Sequence, residues 1–127
     1  MHNTERDDVA RKLVLPEGEL GERWLESLKG LNMVIEQRHE GIPIVCEVLK
    51  SSAVGSSHEL VVVVPGKENS YTLHALRPLR EGEKLVLRRR DNHEEVHGML
   101  YYSRDTQREG DPKNLHIAGL KVTQGIL

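Results

Sequence analysis

Residues 42–65, IPIVCEVLKSSAVGSSHELVVVVP, constrain the fold of this chain more than any other stretch. Two apolar runs, Ile42 to Leu49 and Leu60 to Val64, flank a turn of small residues from Lys50 to Ser57. Both runs are rich in β-branched side chains, which suit a pleated surface and lose rotamer freedom in a helix. Short runs of this kind, bounded by Ser and Gly, read as two strands of one sheet.

The remaining punctuation extends the pattern. Residues 1–18 read as a polar N-terminal arm, with RKLVL (Arg11 to Leu15) as a short strand or packing arm and Pro16-Glu17-Gly18 as a break. Leu20, Trp24, Leu25 and Leu28 recur at helical spacing, so residues 19–30 are expected to form an amphipathic helix closed by Gly30 as a C-cap. LNMVIEQ (Leu31 to Gln37) then reads as a first strand, with a tight turn at Arg38 to Gly41. Pro65 to Arg80 reads as a long connection. Lys84 to Arg89, Val96 to Arg104 and Leu115 to Val122 complete the set, with Asp105 to Asn114 as an exposed loop. The fold class that follows is mostly β: one domain over residues 1–127, with a small six-stranded antiparallel barrel over 31–122 and a short N-terminal helix. A core without Phe, built on Val, Leu and Ile, fits that class.

Composition narrows the function classes. The net charge of −2 describes a surface that is not a general polyanion binder, so affinity for phosphate requires a local patch. One Trp and three Tyr make a poor stacking platform, which argues against nucleic acid. Cys46 is the only cysteine, which excludes an intramolecular disulfide and a Cys-rich metal site; within an apolar strand it reads as a small buried hydrophobe. The N-terminus lacks an apolar signal region and no apolar run approaches spanning length, so the expectation is a soluble, cytoplasmic protein without membrane insertion.

The order of elements resembles a PilZ domain over roughly residues 30–122. Lys50-Ser51-Ser52-Ala53-Val54-Gly55 fits the last part of that family's Asp/Asn-x-Ser-x-x-Gly motif, and the following strand ends in Pro65. Leu79 to Leu87 fits a Leu-x-x-Gly-x-x-Leu-x-Leu entry, and Ile117 to Val122 resembles the family's Gly-containing closing strand. The resemblance implies a regulatory protein of bacterial signalling, one that binds cyclic di-GMP in its complete form. An Arg-x-x-x-Arg segment ahead of the first strand and the Ser/Gly motif do that binding, with guanidinium forks on phosphate and guanine. Here Lys50, which cannot accept a hydrogen bond, stands at the acidic or amide position, and Arg23 and Lys29 do not make the arginine motif. The literal Arg104–Arg108 match falls between the last two strands and reads as chance. The resemblance therefore implies a degenerate member that acts through a protein partner.

Two further constellations carry chemistry. Arg77, Arg80, Arg88 and Arg90 lie on and around the fourth predicted strand, and with Ser52 and Gly55 they are the candidate ligand-binding residues for a phosphodiester. The alternative for the arginines is a solvated strand end that protects a sheet edge. Alternation puts Arg88 and Arg90 on one face and Arg89 on the other, and Glu81, Glu83, Glu94 and Glu95 partly neutralise the group. His93-Glu94-Glu95-Val96-His97 is formally His-Glu-x-x-His, a zinc-hydrolase spacing on a helix; its setting between an Asp-Asn turn and a β-rich stretch reads as a hairpin. Three functions stand at this point. The first is a non-enzymatic PilZ-like interaction domain with a protein partner, reached through loops or an exposed strand edge. The others are a cyclic dinucleotide sensor using the Arg77–Arg90 group, and a zinc hydrolase using His93 and His97. No motif requires a cofactor.

Overall fold

The computed structural model describes residues 15–36, 42–66, 70–104 and 114–127, without the side chains of 32–36 and 104. Among the described residues, one helix, α1 (Glu19–Glu36), precedes β1 (Ile44–Ser51), β2 (Leu60–Pro65), β3 (Tyr71–Ala75), β4 (Lys84–Arg89), β5 (Glu95–Arg104) and β6 (His116–Gln124). The strands form a closed antiparallel barrel in the order β1-β2-β3-β6-β5-β4, with β4 pairing back onto β1. Strands adjacent in sequence are also adjacent in the barrel, except β3 and β4. Their link, residues 76–83, runs across one end and drops Leu79 into the interior.

Alternation builds two apolar layers. Cys46 and Val48, Val61 and Val63, and Leu85 and Leu87 point into the barrel, where Leu100 and Leu120 join them. Val45, Leu60, Val62 and Val64 point outward and are covered by Trp24 and Leu31 of α1. β2 is thus buried on both faces, which accounts for its unbroken LVVVV run. Burying a side chain such as Leu31 fully is worth about 1.5–3 kcal/mol, and that gain holds the helix to the wall.

Four expectations need correction. Residues 31–36 are helical, not a first strand, because Leu31 continues the spacing of Leu20, Trp24 and Leu28 and is wholly buried in the same layer. Gly30 is therefore inside α1 and not its cap; its missing Cβ allows close approach to Leu76 at the start of the β3–β4 link, since a Cβ there would meet Leu76 Cδ1 at 2.8 Å. The stretch from Pro65 to Arg80 is not all connection but contains β3, which pairs with β2 and β6. Finally, closure leaves no exposed edge among the described strands for a partner to extend. The arm through residue 14, the 38–41 turn and the 105–113 loop, with Arg108, lie outside the described residues. Among the described residues, no helix is long and apolar enough to cross a membrane.

Candidate binding groove

The candidate arginines do not form one site. Arg77, on the β3–β4 link, donates from Nη2 and Nη1 to the Glu83 carboxylate at 2.6 and 3.2 Å, and from Nε to Glu59 at 2.6 Å. Glu83 also accepts Ser51 Oγ–H at 2.6 Å and the Arg80 backbone N–H at 3.3 Å. Its side chain has no solvent exposure. Burial alone raises such a carboxyl's pKa, but hydrogen bonds from Arg77 and Ser51, with the Arg77 charge, outweigh burial and hold it below the usual range. Ser51 pairs with the inward-facing Leu85, so this network closes the end of the barrel that Leu79 plugs.

Arg90 lies on the other side of the wall. Its guanidinium sits 4.8 Å from the Trp24 ring centroid and donates to Glu47 at 3.1 Å. Glu47 also meets His58 Nδ1 at 2.8 Å, and the His58 carbonyl accepts the Trp24 indole N–H at 2.7 Å. The group ties α1 to β1 and to the β1–β2 turn, where His58 takes a positive φ of 53°. Arg88 faces outward beside Glu95 at 3.5 Å, and Arg89 is paired with Asp91 at 2.6 Å. Arg80 is exposed. Arg88 and Arg90 do share the outer side, as alternation requires, but each already holds a carboxylate.

A different cationic surface has no counter-charge among the described residues. A groove of about 600 Å³ crosses the outside of β1, β4, β5 and β6. Lys50 and Ser52 enter it from the end of β1, Lys84 and Val86 from β4, His97 and Met99 from β5, and Thr123 from β6. Among the described residues, no carboxylate lines it, and neither lysine has an ion-pair partner. Lys50 opposes Val86, and Lys84 lies two positions along the same face of β4. The two are thus diagonal neighbours, about 7–8 Å apart at Cα, within reach of one anion.

Local irregularities aim these side chains. The β1–β4 register slips between Val48 and Lys50, leaving Leu49 as an extra residue just before Lys50. The β5–β6 register slips between His97 and Gly98, leaving Thr123 as the extra residue on β6. Bulges of this kind redirect side chains and are common beside functional sites. Ser52 is fixed to β4 by two bonds: its N–H donates to the Lys84 carbonyl and its Oγ accepts the Lys84 N–H, both at 2.9 Å. Gly55 has a structural part, with φ of 76° and two backbone bonds that join it to Ser51 and close the turn. Of the candidate ligand and metal residues named from the sequence, then, the groove contains Ser52 and His97 and none of the arginines.

The His-Glu-x-x-His segment does not form the helix its metal reading requires. His93 is in a turn with φ of 61°, and the residues from Glu95 onward are β5. No group of three potential metal ligands occurs among the described residues. Cys46 is wholly buried in the barrel; burial pushes its thiol up to about 12, with nearby Arg89 opposing and Asp91 adding to the rise.

Lys84, Met99 and Thr123 do not stand out in the sequence, and Lys50 does so only as a departure from a motif. The signal that could have found them is the outward half of each alternating strand, Lys84-Val86-Arg88 and His97-Met99, read across strands instead of along them. No family model, curated protein or solved structure matches this chain.

Proposed function

We propose that this chain is a non-enzymatic interaction domain, PilZ-like in its order of elements, that holds an acidic segment of a protein partner across the β1–β4–β5–β6 groove. One observation carries the reading: a groove lined by Lys50, Lys84 and His97 and, among the described residues, by no carboxylate, on a chain whose net charge is −2. Val86 and Met99 give it an apolar floor for a side chain between the acidic ones. A closed barrel offers no edge to extend, so the partner lies on side chains and not as an added strand. A cyclic dinucleotide fits this surface less well. Guanine is read by guanidinium forks and bases stack on aromatic rings, and among the described residues neither an arginine nor a Trp or Tyr lines the groove.

The test is calorimetric titration of the full chain with a short acidic peptide containing leucine, and separately with cyclic di-GMP, at low and near-physiological salt. The expected result is saturable peptide binding that weakens with salt and disappears in Lys50→Glu and Lys84→Glu. Tight dinucleotide binding that survives both substitutions and is lost in Arg80→Ala would move the function to the arginine-rich side.

A further inference from the structure

We infer that the anion this groove takes is a phosphate monoester on the partner, a phosphorylated serine or threonine side chain, in preference to a carboxylate. The inference rests on the acidic-partner reading and sharpens it.

The donor set is the reason. A carboxylate presents two coplanar oxygens, which a guanidinium fork matches in two parallel bonds. No arginine among the described residues enters the groove, although arginines are abundant on the neighbouring faces. What enters from the β1 end are two ammonium groups, Lys50 and Lys84, with Ser52 between them. Ammoniums are point charges with rotatable donors, suited to three oxygens splayed tetrahedrally. Ser52 is oriented to add a third donor. Its Oγ already accepts the Lys84 N–H, so its own hydrogen remains available to donate into the groove. Thr123, carried on its bulge, adds a second hydroxyl across the floor.

Charge balance points the same way. A phosphorylated side chain carries about −1.5 to −2 at neutral pH. That matches the two lysines, which have no ion-pair partner among the described residues, whereas one carboxylate supplies a single negative charge to the pair. The mostly buried cations Arg77 and Arg90 are paired with carboxylates of the barrel, whereas the exposed Lys50 and Lys84 have no described acid in the groove and are open to an external anion.

The experiment follows backbone amide NMR shifts of the full chain during titration with N-acetyl-phosphoserine amide, with N-acetyl-glutamate amide, and with the short acidic peptide. The phosphoserine amide is expected to bind about ten-fold tighter than the glutamate amide, since charge-assisted bonds to a dianion are stronger, with shifts centred on Lys50, Ser52 and Lys84. Lys50→Gln and Lys84→Gln should each abolish that preference while the spectrum stays dispersed; Arg80→Gln should leave it intact. Equal or weaker binding of the phosphoserine amide overturns the inference. If the acidic peptide still binds in that case, the broader reading survives; if the peptide fails too, both fall together.

Discussion

The barrel carries two kinds of cation, and they differ in where their charge goes. At the barrel end and beneath α1, Arg77 and Arg90 are mostly buried, with side chains 16 and 15 % exposed, and each is bonded to a carboxylate shielded from water. On the outer β1–β4–β5–β6 face, Lys50 and Lys84 are exposed beside each other with no described acid between them. In the sequence the two kinds look alike, as basic residues at strand ends. The difference shows that a run of basic residues is evidence for a ligand only after its counter-charges have been located in space. Arg77 and Arg90, with their rigid forks and lower hydration, hold the protein to itself, and the more strongly hydrated Lys50 and Lys84 are left at the surface.

Substitution of the arginines should produce a graded series that tests this division. Arg77→Ala leaves the Glu83 carboxylate buried without its main partner and is expected to cost about 3–5 kcal/mol in urea unfolding. Arg90→Ala removes one charged hydrogen bond and the contact over Trp24, but Glu47 retains His58, so the expected loss is about 1.5–3 kcal/mol. Arg88→Ala breaks an exposed pair with Glu95 and is expected to cost about 0–1 kcal/mol. A flat series, with Arg77→Ala no worse than Arg88→Ala, would break the comparison.

Acid should expose the same network without mutation. Because the folded-state pKa of Glu83 lies below its unfolded value, the ionised form stabilises the fold fully above the usual carboxylate pKa of about 4.3. That contribution is lost as pH falls through the lower, folded value. Unfolding midpoints are expected to be level from neutral pH to about 5, then to decline. In Glu83→Gln the decline should be shallower. An equally steep decline in that variant would assign the acid sensitivity to other carboxylates.

The barrel is legible in the sequence because its strands carry their evidence locally. Val61 to Val64, the Leu85/Leu87 alternation and the Ser/Gly turn at 51–55 each describe a strand or a turn on their own terms. The strand number, however, comes out right through two misreadings of opposite sign. Leu31 to Gln37 is apolar enough to pass for a strand, and only the buried position of Leu31 against β2 shows that the helix continues. Tyr71–Ala75 is short and set among turn residues, and it becomes a strand because β2 and β6 bond it on both sides. The site is less legible for the same reason. Ser52 and His97 stand out, but Lys84 and Thr123 meet them only through pairing and register slips across strands. Conversely, nothing near Glu83 in sequence says that it is the acceptor for Arg77 and Ser51.

The smallest expected effect is also the one with an unusual sign. Lys84→Glu should stabilise the protein by about 0.2–1 kcal/mol, because it turns a like-charge diagonal with Lys50 into an attractive one. The same substitution should abolish binding of any anion in the groove. Most surface substitutions leave stability within about 0.5 kcal/mol, so parallel unfolding curves for Lys84→Glu, Lys84→Gln and the parent chain are required, at low salt, where the effect is largest. Stability should rise from parent to Gln to Glu while affinity falls in that order. Opposite trends in the two measurements are what a residue that serves binding and not folding requires. If Lys84→Glu is destabilising instead, Lys84 has a counter-charge in the folded protein, and the groove belongs with the arginine networks as part of the protein's own scaffold.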